Sequence, residues 1–228
     1  MKLATARVTL ESLLRARKLD VTLTDPDDAG CPSAGGSDDL AATGVPSIDA
    51  ALGGGLRRGH LSEIVGPRSS GRTTVVCQAL AAAVSRGELV ALVDTCDRFD
   101  PASASGAGLD LSRLLWIRET GDLSRAIKAL NLVLQAGGFG LVVLDLTDAA
   151  GAAVRALPFT TWFRLARVIE GGPTVALVVA SEHLARSSGG ATIALDSPAS
   201  ASRARWAGGS DRARLLKGME LSVRVIGR

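Results

Sequence analysis

The chain has 228 residues, 46% of them hydrophobic and 3% aromatic with no tyrosine, and a net charge of +3. That length fits one domain with an appendage and a large core built from Ala, Val, Leu and Gly. The scarcity of aromatics argues against a surface that stacks single-stranded bases. No apolar run approaches the length of a membrane span, and the residues before Glu11 lack the apolar centre of a secretion signal.

Cys31, Cys77 and Cys96 lie far apart and form no metal-ligand spacing with His60 or His183. A reducing cytoplasm is the expected setting. The basic residues comprise 22 arginines and four lysines. That bias fits either a GC-rich genome or contact with nucleic acid or an acidic partner.

In chain order, residues 1–42 read as an appendage and 43–228 as the folded core. Residues 5–19 predict an amphipathic helix, with Val8, Leu10, Leu13, Leu14 and Leu19 apolar and Arg7, Arg15, Arg17 and Lys18 basic. It either packs on its own domain or docks on another molecule. Residues 24–42 are rich in Asp, Gly and Pro and read as a linker. Residues 44–52 predict a turn and a short helix capped by Ser47. Leu61–Val65 reads as a buried strand and Thr74–Arg86 as a helix, stopped at Gly87. Strands follow at 88–94 and 114–117, then a helix over 122–136 ended by Gly137 and Gly138.

Residues 140–145 predict a further strand, 160–170 a helix containing Trp162 and Phe163, and 174–180 another buried strand. Late strands are expected at 192–195 and 221–226, with a basic turn at Arg203–Trp206 between them. Alternating strands and helices predict an α/β fold with a mostly parallel central sheet, and ligands at the C-terminal ends of its strands.

The chain is organised around Gly66-Pro67-Arg68-Ser69-Ser70-Gly71-Arg72-Thr73. This is the phosphate-loop pattern G-x-x-x-x-G-K-[ST] with Arg in place of Lys, set between a strand and a helix. Such a loop turns backbone N–H groups and a helix N-terminus toward an anion. Arg72 still attracts phosphate, but its planar fork places charge differently from a lysine ammonium. Nucleotide binding is therefore better supported than hydrolysis. The competing reading is a Gly-rich turn with a surface Arg and no ligand. The second landmark is Asp145, which ends the apolar strand 140–145. Beside a phosphate loop, a carboxylate there serves Mg²⁺ through water; alternatively it only starts a turn.

These landmarks, in this order, resemble the RecA family of recombinases over residues 41–228. The segments 43–53 and 59–74, Asp94, Asp100-Pro101 and Asp145 carry the resemblance. It implies a RecA-like P-loop NTPase core. ATP would be bound by Gly66, Arg68, Ser69, Ser70, Gly71, Arg72, Thr73, Thr74 and Asp100, and Mg²⁺ by Thr73 and Asp145.

The departures point away from catalysis. Arg68 stands where the family has an acidic residue, and Cys96 where it has its catalytic Glu. Cys is a poor base for water. Asp97 is adjacent but would face the other way if the strand continued. Ser103 replaces the aromatic that packs on adenine, and Glu182 the Gln sensor. The DNA-binding loops at 146–158 and 185–192 are short.

A RecA-derived chain with a changed job is the expectation, and the whole is similar to the ImuA family of accessory proteins, with SulA more distant. That resemblance implies a role in SOS-induced translesion mutagenesis. The partners would be a Y-family-like polymerase subunit of the ImuB type and, through it, an error-prone polymerase. It leaves three readings open: a non-catalytic adaptor, a DNA-dependent ATPase of recombination or repair, and an adaptor gated by bound ATP. DNA binding is expected to be weak and non-specific, and self-association through residues 5–19 is the remaining option.

Overall fold

The computed structural model describes residues 39–185, 190–195, 204–207, 215–219 and 223–226. The amphipathic helix expected at 5–19, Cys31, and most of the linker lie outside the described residues. The fold begins earlier than the expected boundary at residue 43. Strand β1 (Leu40–Ala41) pairs antiparallel with β2 (Leu56–Arg57), and Ala41 is buried.

Helix α1 (Pro46–Leu52) is not capped by Ser47. Pro46 supplies the fixed φ suited to a first helical position, so the helix starts two residues earlier with Val45 at its cap. Asp49 instead ties the helix to the turn before it: its carboxylate accepts the Thr43 N–H and hydroxyl, both at 2.7 Å, and the Gly44 N–H at 3.1 Å. Thr43 Oγ1 in turn accepts the Val45 N–H at 3.2 Å, so the turn and the helix start are held together.

The chain then alternates through β3 (Leu61–Val65), α2 (Arg72–Ser85), β4 (Leu89–Asp94), α3 (Pro101–Gly106), β5 (Leu114–Arg118), α4 (Leu123–Ala136) and β6 (Phe139–Asp145). It continues through α5 (Gly151–Arg155), α6 (Phe159–Ile169), β7 (Val175–Ala180) and β8 (Thr192–Leu195). Strands β9 (Ala204–Ala207) and β10 (Leu215–Met219) form a separate antiparallel pair, so the expected basic turn ending at Trp206 is instead largely a strand. β11 (Val223–Ile226) returns to the main sheet.

The main sheet has seven strands in the order β11-β8-β3-β7-β6-β4-β5. All pairings among β3 to β8 are parallel, and only β11, on β8, is antiparallel. The expected mostly parallel α/β sheet is thus observed. Side chains alternate between its faces, as the pleat requires. Ile64, Leu92, Val143, Leu177 and Ile193 share one core cluster with Ile48 of α1 and Leu80 of α2. Val93, Val142, Leu144 and Val178 share the other with Leu130 of α4 and Trp162 of α6. Burial on both faces explains the continuous apolar runs in the sequence.

The parallel arrangement brings the C-terminal ends of β3, β4, β6 and β7 to one rim. The segments beginning at Gly66, Thr95, Leu146 and Ser181 therefore meet there.

Candidate functional site

At the end of β3 the backbone turns through Ser69 (φ 61°) and Gly71 (φ 94°), both left-handed. Ser69 adopts a conformation that side chains rarely take, a form of strain that clusters at ligand sites. Gly66 has no room for a side chain, because a Cβ there would lie 2.6 Å from the Leu195 carbonyl and 2.7 Å from Ser70 Oγ. Helix α2 starts directly at Arg72, two residues before the sequence reading placed it. Its first turn, Arg72, Thr73 and Thr74, is thereby aimed at the loop. Thr73 and Thr74 are exposed.

Arg72 is not a surface arginine. It is 4% exposed, and its Nη1 is buried without a hydrogen-bond partner. Burial lowers its pKa, opposed by the carboxylates of Asp145 and Asp148 and assisted by the charge of Arg68. A guanidinium stays charged at neutral pH regardless, so an unsatisfied cation is stored beneath the loop. Ser70 Oγ and Thr95 Oγ1 are also buried and unpartnered. Such orphans are uncommon in folded proteins. Buried donors without partners beneath a strained Gly-rich turn fit a phosphate group.

Asp145 ends β6, and its Oδ1 accepts the Thr147 N–H at 2.8 Å. Burial pushes its pKa above the usual carboxylate range, against the opposing pull of Thr147. Magnesium bound with nucleotide would be held by Thr73 and Asp145 through water and would neutralise phosphate charge. Asp145 keeps acceptor capacity for that purpose. Arg68, 89% exposed, and Arg98 stand 3.6 and 3.9 Å from the carboxylate of Asp148 at the mouth of the site.

The segment after β4 decides the chemistry. Asp94, 2% exposed, accepts N–H groups from Cys96 at 3.3 Å, Arg98 at 3.0 Å and Phe99 at 2.8 Å, and from Trp116 Nε1 at 3.3 Å. Residues 95–99 therefore wrap around this carboxylate, and the strand ends at Asp94 as the sequence reading placed it. Asp97 takes φ 55° and forms two 2.7 Å bonds with Arg118. Arg118 in turn lies 4.6 Å from the Trp116 ring centre, and Phe99 meets the same ring edge-on. Asp97 is thus fixed in an ion pair, its pKa lowered chiefly by the Arg118 hydrogen bond.

Cys96 is half-buried. Burial first, then Asp148, Asp94 and Asp145, push its thiol up, so it stays protonated at neutral pH. Asp100 caps α3, accepting the Ala102 and Ser103 N–H groups and the Ser103 hydroxyl. Ser103 and Asp100 are therefore engaged with each other. Glu182 is exposed and pairs with Arg155 at 2.9 Å.

Sequence reading passed over Glu63. It lies in the middle of β3, fully buried. It accepts the Leu184 and Ala185 N–H groups at 3.0 and 2.8 Å and the Thr192 hydroxyl at 2.8 Å, and the His183 imidazole sits against it. The strand feeding the phosphate loop is thereby tied to the segment leaving β7. A lone acidic residue within an apolar strand was the available signal.

A strand, a Gly-rich anion loop with a helix behind it, and an acidic strand end on a parallel sheet define a P-loop protein. A family model described as the RecA N-terminal domain matches residues 36–155, and the chain belongs to that family. It is 40% identical over 108 residues to Protein RecA of Chlorobaculum tepidum, spanning 46% of this chain and 31% of that protein. It is 38% identical over 117 residues to Protein RecA of Chlorobium chlorochromatii, spanning 51% and 33%. The chain thus spans about a third of the length of these curated relatives. Its fold is similar to the crystal structure of the RadB recombinase, with a TM-score of 0.54 at 23% identity over 69% of this chain and 83% of that one.

Proposed function

We propose that this RecA-family chain is an adaptor that binds ATP and turns it over slowly or not at all. In this reading it belongs to the ImuA kind, acts in the cytoplasm in translesion synthesis, and docks on a Y-family-like polymerase subunit of the ImuB type. One observation carries the reading: in the described segment 94–97, where the family's catalytic Glu is expected, no carboxylate is free. Cys96 is a protonated thiol, Asp97 is held by Arg118, and Asp94 is enclosed by its own loop. General-base catalysis needs a group within reach that can accept the proton.

The test is ATP binding and phosphate release by the purified chain, with and without single-stranded DNA, beside Arg72→Ala and Asp145→Ala. Capture of an ImuB-type subunit is measured on the same proteins. Binding without release, and capture that weakens in both variants, is expected of a nucleotide-gated adaptor. Capture unchanged in both variants would leave an adaptor that ignores nucleotide. DNA-stimulated release lost in Arg72→Ala would overturn the adaptor reading. It would favour a second one, a DNA-dependent ATPase of recombination or repair, which draws support from the intact pair of Thr73 and Asp145.

A further inference from the structure

Five large hydrophobic residues are exposed among the described residues, and two of them, Phe159 and Phe163, are neighbours on α6. The other three, Leu111, Leu132 and Ile226, stand on separate elements. The buried side of α6 is accounted for by Trp162, Leu165 and Ile169. Phe159 and Phe163 are 46% and 45% exposed and meet edge to face, with ring centres 4.7 Å apart. Two adjacent phenyl rings left nearly half exposed forgo part of the burial that favours a core phenylalanine, so this pair calls for a cover.

The charge around the pair selects the cover. Residues 149–169 contain three arginines and no acidic residue. Arg167 continues the Phe159–Phe163 stripe by one further turn, and Arg164 flanks it. Arg164 makes no ion pair among the described residues. Arg167 pairs only with Glu170, and both of those side chains are more than half exposed, so that bond exchanges readily for another carboxylate.

We infer that this face of α6 docks an acidic, amphipathic peptide segment of a partner protein. Two apolar side chains of the peptide would cover the Phe159–Phe163 pair, and its carboxylates would meet Arg164 and Arg167. The chain's own residues 5–19 fit badly, since they carry four basic side chains and one acidic. A second copy presenting the same face would oppose arginines to arginines. Nucleic acid would satisfy the arginines, but stacked bases need open ring faces, and the perpendicular pair sets one ring's edge on the other's face. This inference supplies a surface for the adaptor reading and needs no nucleotide.

The test is selection of helical 16-residue peptides from a random display library on the full-length chain, without nucleotide or polymerase. Selected peptides should be rich in Asp and Glu with apolar pairs spaced i, i+4. They should bind Phe159→Ser/Phe163→Ser and Arg164→Glu at least tenfold more weakly, with melting curves confirming that both variants fold. Replacing one peptide carboxylate by Lys should restore binding to Arg164→Glu. No enrichment, enrichment without acidic residues, or binding untouched by both variants would overturn the inference. So would a 30-nucleotide oligo-dT that binds the wild type and is lost in the same variants, since that would make the face a nucleic-acid surface. Any such failure would leave polymerase-subunit capture, the adaptor reading's own test, undecided and still to be read.

Discussion

Asp145 shows what burying a carboxylate at a strand end costs a protein. Its pKa is raised by burial. A carboxyl with a higher pKa in the folded state binds protons more readily folded than unfolded. The fold is therefore favoured below the ordinary carboxylate pKa of about 4 and loses that advantage as pH rises through the folded value. Asp145→Asn removes the ionisation and is expected to raise the Tm at neutral pH, with the gain shrinking toward pH 4. A Tm unchanged or lowered at pH 7 would contradict the account.

Cys96 makes the complementary prediction. In a Cys31→Ser background, iodoacetamide should modify Cys96 more slowly than a free thiol at pH 7.5, with the rate climbing above the ordinary thiol range of about 8.5. A rate equal to free cysteine would restore Cys96 as a candidate reactive group. At this scale the sequence was informative where one residue's chemistry and its neighbours along the chain suffice, as for Gly66, Arg72 and Asp145. It was silent on Arg72's burial and on the ion pair that holds Asp97, because Arg118 lies 21 residues away.

Elements differ in how their ends and faces are fixed. Helix α4 is capped by Asp122, whose carboxylate accepts the Arg125 N–H at 3.0 Å. Asp122→Ala should cost about 1 kcal/mol in urea unfolding. Glu63→Leu should cost about 3 kcal/mol or more, because it strands the donors of Leu184, Ala185 and Thr192 in the interior. Similar losses in the two variants would mean that the Glu63 network is not the tie described.

The strands were readable as apolar runs because burial on both faces leaves no polar alternation. The turn-and-cap residues were readable less well. Pro46 outcompeted Ser47 for the helix start. Phe159 and Phe163 stand about a third of a turn round the helix from Trp162, Leu165 and Ile169, a separation the apolar composition of the helix concealed. The β9–β10 pair was hidden by Arg and Gly residues that read as a turn.

The order of the sheet is the property of the whole molecule that no local pattern states. β3, which carries the phosphate loop, pairs only with β7 and β8, its partner residues standing 115 to 129 positions later, as in Leu61 with Ala176 and Glu63 with Thr192. The match to the RecA N-terminal domain model ends at residue 155, before either partner has been reached. Homology and autonomy therefore part company in this chain. On the ribosome the phosphate-loop strand must wait, apolar and unpaired, while more than a hundred further residues are made. A chain ended after Arg155 holds nearly every recognisable motif and lacks both strands that would seat them. Far-UV circular dichroism of that truncation should show no cooperative melting, whereas the full-length chain should melt in a single transition.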